Sequence, residues 1–443
     1  MEVFNVPNCF SVDTVENGFD LMDADGIFGR VQGLIDHIIS DYPNVRAIGI
    51  DGQMHGILYL NAEGRAISSL VTWRDKRCDR LTEHSEATVG AESYCERISR
   101  MTGERIATGY GLATHYYNCQ NGLVPEGCAG FCSIMDYAVM RLTDTHEPLL
   151  HASVAASLGF YDVASGRFKA DKLRRLFGDD LKLPKVTKKL EGRGKYRGIP
   201  VCVAIGDNQA SFLGSVGDHE KSVLVNIGTG SQISMASSDT VEAEGVEIRP
   251  LLEESCLVCG SALCGGSAYA MLERFFSAYA EQLGARELSQ YSVMNSLALL
   301  AYEKRKVAAA NGGVSRGITV RTEFAGTRAE PERRGGIDGI DMGNFTPENL
   351  TLGFIEGICR ELLGLFENVD MSDRCSIVAS GGAVQRIDVM KSVIADVFGM
   401  EVSVSSVREE ASVGAALAAA YSAGLMKDER DIQMLAGKLA IRR

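Results

Sequence analysis

The strongest constraint on this chain is a pair of apolar runs near its middle, each ending in glycine. Residues 203–216 read VAIGDNQASFLGSV and residues 223–232 read VLVNIGTGSQ. Runs that are apolar at nearly every position suit strands covered on both faces. The first presents Asp207 and Asn208 at its tip and passes directly into a helix start. The second opens into Gly228-Thr229-Gly230, where glycine permits left-handed angles and a close ligand approach. Successive amides around such a turn can face an anion. The theme returns at 374–399, RCSIVASGGAVQRIDVMKSVIADVFG, with Gly381 and Gly382 in the turn. A carboxylate with three glycine turns points to phosphoryl transfer at a nucleotide site. No P-loop pattern and no GxGxxG is present, so neither a P-loop nor a Rossmann enzyme is implied.

At 443 residues the chain is too long for one ordinary core, and two domains are expected. The formal net charge of -13 argues against broad nucleic-acid or acidic-membrane binding, although a nucleotide needs only a locally favourable site. The opening MEVFNVPNCFSVDTVENGFDLMDAD has no basic leader, and no run approaches a transmembrane length. A cytoplasmic protein is expected. The 12 cysteines are too sparse for a disulfide scaffold. Cys256, Cys259 and Cys264 cluster, but a zinc site wants four ligands and no fourth follows at useful spacing.

In chain order, residues 25–42 carry apolar side chains at a helix period up to Pro43. VRAIGIDGQMHGILYLN then reads as two strands around a polar junction. It places Asp51, Gln53, Met54 and His55 at a strand end, where open α/β sheets bind ligands; the alternative is an ordinary polar turn. Trp73, the only tryptophan, stands beside Arg74, Asp75 and Arg77. An aromatic wall with fixed charges suits a polyhydroxylated ligand, and a half-buried tryptophan beside a solvated charge run fits equally. Residues 83–101 read as helix, and Asp136 reads as a helix cap. Tyr110, His115, Tyr116 and Tyr117 fit a cleft border or a core. Residues 151–168 show only short alternations, and 190–200 reads as a basic, glycine-rich loop. Gly265-Gly266 opens a strong helix pattern, residues 286–310 are helical, and Thr346-Pro347 start a long amphipathic helix. Arg328, Glu330, Arg333 and Arg334 read as solvated charges.

These segments together resemble the FGGY carbohydrate kinases. The matching stretches are GQMHG at 52–56, TWRDKR at 72–77, GDNQAS at 206–211, NIGTGSQ at 226–232, SGGAVQRIDVMK at 380–391 and EEASVGAALAA at 409–419. They occur in family order and span nearly the whole chain. The resemblance implies an α/β fold of two actin-like (ribonuclease H-like) domains around a central cleft. It puts the sugar-binding domain at 1–206 and the ATP-binding domain at 207–443. Family members begin with Asp-x-Gly-Thr on a first strand, which residues 1–24 do not contain. The first domain is therefore expected to lack its opening strands.

By the same resemblance Asp207 is the general base aimed at the sugar hydroxyl. Gln53, Met54, His55, Trp73, Asp75 and Asn208 lie on the sugar side. Gly228, Thr229 and Gly230 meet the ATP phosphates, Gly266 is a nucleotide-side contact, and Gly381, Gly382 and Ala383 form the adenosine-binding turn. ATP and Mg²⁺ are the implied cofactors, and a homodimer is possible. Glycerol kinases carry Arg-Glu where this chain has Met54-His55, so the resemblance implies a ketose acceptor. Sedoheptulose, giving sedoheptulose 7-phosphate, comes first; xylulose, another pentulose or a polyol is the alternative. A catalytically impaired sugar- or nucleotide-binding relative is the other reading.

Overall fold

The structure is a computed structural model that describes residues 2–82, 91–241, 243–285, 289–312, 317–328, 330–369, 371 and 373–440. The chain divides into two compact units. The first comprises Met1–Gly214, Arg249–Cys256 and Val407–Ala436, and the second Ser215–Ile248, Leu257–Ser406 and Gly437–Arg443. The helix Asp207–Ser215 falls with the first unit up to Gly214, whereas the sequence reading starts the second domain at 207.

The second unit is built on a six-stranded sheet in the order Val246–Leu252, Ser255–Ala262, Ser231–Ser237, Ser222–Ile227, Ser376–Ser380 and Glu401–Val404. Ser222–Ile227 pairs antiparallel with Ser231–Ser237 and parallel with Ser376–Ser380, which pairs parallel with Glu401–Val404. Val223, Val225 and Ile227 are fully buried, and Leu224 is nearly so. Coverage of both faces is what the unbroken apolar run requires. The helix Pro347–Glu367 starts as expected: Thr346 caps it by accepting the Asn349 N–H, with Pro347 in the first turn. Leu352, Phe354, Ile355, Ile358, Cys359 and Leu362 on this helix enter the unit's core.

The first unit has its own core, centred on Ile57, Leu58, Tyr59, Leu112, Tyr137 and Leu150. Its strands pair in short two- and three-stranded pieces among the described residues. The pair that matters for function is parallel, with Ile205 opposite Asp51 and Gly206 opposite Gly52. A bridge between Ile48 and Val201 extends it. The glycine- and alanine-rich helix Glu410–Ser422 packs closely on this region, because Gly414 meets the Ala210 backbone and Gly49 meets the Ala415 backbone. A Cβ at either glycine would overlap main chain.

Several local expectations are corrected. Residues 190–200 form a hairpin, not a loop: Gly192–Tyr196 pairs antiparallel with Ile199–Cys202. The expected helix over 83–101 is Tyr94–Thr102, closed by a capping box between Ser93 and Glu96; residues 83–90 lie outside those described. The helix expected over 286–310 runs from Tyr291 to Ala310, and residues 286–288 also lie outside. Asp136 is not the cap of its helix. Ser133 is, with an extended backbone and its Oγ accepting the Asp136 N–H at 3.1 Å. His115, Tyr116 and Tyr117 are core residues. Arg328, Glu330, Arg333 and Arg334 are exposed, as expected of solvated charges, and Arg333 also pairs with Glu323 at 3.3 Å and Glu330 at 3.2 Å.

Candidate active site

In the first unit, the parallel pair brings two strand tips together and with them Asp51 and Asp207. A short helix, Ala152–Ser157, holds both tips. Ser153 Oγ accepts the Gly206 N–H at 3.1 Å and donates to His151 Nδ1 at 2.8 Å. Burial pushes the His151 imidazolium down to about 4, so the ring is neutral and can accept that proton. One turn later Ser157 Oγ accepts the His55 N–H at 3.0 Å, while the His55 ring Nδ1 lies 2.7 Å from the Ser157 carbonyl. His55 needs this support because its φ is 64°, a left-handed value that costs a non-glycine residue about 1–3 kcal/mol. Met54 is buried, and its sulfur lies 3.0 Å from where a Cβ on Gly206 would stand. Gln53 is half-buried at the same strand end.

Asp207 opens its helix with its Oδ1 accepting the Asn208 N–H at 2.7 Å. Burial raises its carboxyl above the usual range, opposed by that backbone N–H and by the charge of Arg249. Gln209 is fully buried and donates to the Pro250 carbonyl at 3.0 Å. The segment around 249–250 thus ties down the first helical turn after Asp207.

In the Trp73 loop the alternative of a solvated charge run fails at Asp75 and Arg77, which are buried. Asp75 is fully buried. Its oxygens accept Arg77 Nε at 2.8 Å, Arg77 Nη2 at 2.9 Å, the Arg77 N–H at 3.0 Å and the Asp20 N–H at 2.9 Å. Asp75 therefore anchors the loop, and Arg77 is buried over the Phe19 ring at 4.0 Å. Trp73 is left 52% exposed, and its backbone closely meets Gly109.

In the second unit the glycine turns at 228–230 and 381–382 come together with the Gly265-Gly266 helix start. Residues 228–230 link two strands of a hairpin, with Ile227 opposite Ser231. Their carbonyls are tied to the start of helix Gly266–Gln282: Gly266 N donates to Gly228 O at 2.8 Å, and Gly265 N and Ser267 N donate to Thr229 O at 3.0 and 2.9 Å. Gly381 packs on Ile227, and a Cβ on Gly266 would stand 4.0 Å from that of Ala383. Glycine serves different ends here than expected. Gly228 and Gly230 do not take positive φ, whereas Gly381 does, at 97°. At 230 the need is room: a Cβ would stand 3.1 Å from the Ala262 carbonyl oxygen.

Sequence reasoning missed the two serines of helix 152–157, the Arg249 charge beside Asp207, and the proximity of Asp51 to Asp207. The strand register, with Ile205 opposite Asp51, supplies the last; nothing local marks the others. Cys256, Cys259 and Cys264 are buried.

Residues 8–214 match the N-terminal domain of the FGGY family of carbohydrate kinases, and residues 223–423 match its C-terminal domain. The chain is 26% identical over 424 residues to a sedoheptulokinase of Mus musculus, covering 88% of this chain and 82% of that protein. It is 25% identical over 407 residues to a xylulose kinase of Haemophilus influenzae, covering 86% and 76%. Its fold is similar to that of a ligand-bound xylulose kinase from Lactobacillus acidophilus, with a TM-score of 0.76, 18% identity, and 99% and 87% of the two chains covered.

Proposed function

We propose, from the premise that this chain belongs to the FGGY family of carbohydrate kinases, that it transfers the γ-phosphoryl group of ATP to a hydroxyl of a ketose. The observation that carries the reading is Asp207: a half-buried carboxylate of raised proton affinity at the tip of a parallel strand pair. The sugar oxygen bonds to the γ-phosphorus as the bond to the β–γ bridging oxygen breaks. ADP leaves with that electron pair, and Asp207 takes the hydroxyl proton. Such a transition state is largely dissociative, so the aspartate can orient the hydroxyl and accept its proton late. The sugar-side groups of the first unit are Gln53, Met54, His55, Trp73 and Asn208, with Asp75 fixing the tryptophan loop. In the second unit Gly228–Gly230, Gly266 and Gly381–Ala383 are the nucleotide groups.

ATP with Mg²⁺ is typical of the family. A Mg²⁺ there would be held chiefly by phosphate oxygens and water and would neutralise charge on the transferred group.

The relatives act on a heptulose and a pentulose at nearly equal identity, so the substrate class rather than one sugar is proposed. Met54-His55, in place of the Arg-Glu of glycerol kinases, favours a ketose over glycerol. A panel of xylulose, ribulose, sedoheptulose, fructose and glycerol in an ADP-release assay tests it, with one of the ketoses expected to give the highest kcat/KM. Turnover confined to glycerol would overturn the ketose reading. Asp207→Asn should lower kcat at least about a hundredfold with ATP affinity similar, and near-normal turnover would remove Asp207 from the role.

A further inference from the structure

Asp51 has no part in the reading above, yet the strand register sets it beside the proposed base. Ile205 lies opposite Asp51 and Gly206 opposite Gly52; the strand ends there, and Asp207 is the first residue of helix Asp207–Ser215. The register thus brings the two acids to the same end of the pair, where the charge on Asp207 acts on Asp51. Around the pair there is little room: a Cβ on Gly52 would stand 3.0 Å from Met135 Cγ, and one on Gly206 3.0 Å from the Met54 sulfur.

The two carboxylates differ in support. Asp207 has the Asn208 N–H at 2.7 Å and the charge of Arg249. Asp51 has no hydrogen-bond donor among the described residues. We propose that Asp51 and Asp207 act as a carboxylate pair, Asp51 being a positioning residue whose negative charge keeps Asp207 basic enough to take the sugar hydroxyl proton. The proposal rests on Asp207 being the base.

The order of ionisation follows from the surroundings. Donors and a cation favour charge on Asp207, so it loses its proton first. Asp51 then loses its own against burial and the charge already on Asp207, which together push it up to about 6. The elements packed on Asp51–Gly52 carry other charged groups, but these answer elsewhere. Asp136, on helix Ile134–Thr143, is governed by burial, Ser133 and Arg193. Glu410, on helix Glu410–Ser422, is governed by burial and by Glu409. Above pH 6 both members of the pair are charged, and each raises the other's proton affinity.

The test is the pH profile of kcat between pH 5 and 8 for the wild type and Asp51→Asn, with the preferred sugar of the panel. Wild-type kcat should rise about tenfold through pH 6. The variant should stay near the low plateau throughout, with its KM for ATP unchanged. A merely structural role would lower activity without removing the step, so a variant that keeps the step near pH 6 overturns the proposal. Asp51→Ser, neutral at every pH used, replaces the amide variant should that fail to fold by circular dichroism. Asp207→Asn is run alongside: its turnover at the wild-type rate sinks the base assignment, while its collapse with an unchanged Asp51→Asn profile sinks the pair alone. A readout without turnover is the carboxyl ¹³C titration of the free protein. Two coupled signals, one moving near pH 6 and lost in Asp51→Asn, are expected, and independent titration in the ordinary carboxylate range overturns the pair.

Discussion

At Gly381 a single hydrogen atom separates the turn proposed to bind nucleotide from a clash. A Cβ there would stand 2.5 Å from Ile227 O and 2.9 Å from Ile227 N, on a backbone already at φ 97°. The neighbour is main chain of the central strand, so it cannot swing aside as a side chain would. Gly381→Ala should cost about 2–4 kcal/mol, from left-handed strain plus overpacking. It should weaken ATP binding at least about tenfold, measured by calorimetry. Gly382→Ala is the control. Its Cβ would meet nothing within 4 Å, so its unfolding free energy should match the wild type within about 0.5 kcal/mol. Equal destabilisation by the two would show that the turn is not packed as described.

At the scale of elements, the six-residue helix Ala152–Ser157 holds the strand tips proposed to face the sugar, although no side chain of it is assigned to substrate. Ser153→Ala would leave the buried Gly206 N–H without its acceptor, and Ser157→Ala would do the same to His55 N–H. Each should cost about 1–3 kcal/mol. Because the strand tips shift, sugar KM should rise and kcat fall, while KM for ATP stays put in steady-state assays. A proportionate change in both KM values would mean general loosening instead. This helix was not legible in the sequence: ASVAAS carries no helical apolar period long enough to see, and its serines act on residues 53 and 102 positions away. The hairpin at 192–202 was hidden for the opposite reason, since glycine and basic residues lower strand propensity and only the partner strand restores the pairing. Ser133 and Asp136 are both good caps three residues apart, and only the extended backbone at Ser133 (φ -79°, ψ 166°) decides between them. The glycine turns and Asp207 were legible because an apolar run followed by Gly-Asp or Gly-Thr-Gly has few other uses.

Across the whole molecule each unit buries groups that titrate against each other. In the first, His115 and His151 are pushed down to about 4 and Asp136 up to about 7. In the second, His219 lies at about 4 and Glu361 at about 7. The signs are opposite. A histidine with a lowered folded pKa loses its stabilising contribution as pH falls from about 6.5 towards 4, because the unfolded chain then binds protons the folded one refuses. A carboxyl with a raised folded pKa is more protonated when folded, so its contribution is lost as pH rises from about 4 through 7. The two trends offset one another in the wild type, and a substitution separates them. Asp136 is buried, Ser133 Oγ donates to its Oδ2 at 2.6 Å, and its Oδ1 has no partner among the described residues. Asparagine can keep the Ser133 bond and never ionises. Asp136→Asn should therefore gain on the wild type by about 1 kcal/mol per pH unit between pH 4 and 7. The gain should level off above 7 at a few kcal/mol, with the histidine trend cancelling in the difference. Thermal unfolding of both proteins at pH 4.5, 6 and 7.5 measures it. A difference independent of pH would mean that Asp136 stays charged in the core, and that burial without a second donor is not what governs it.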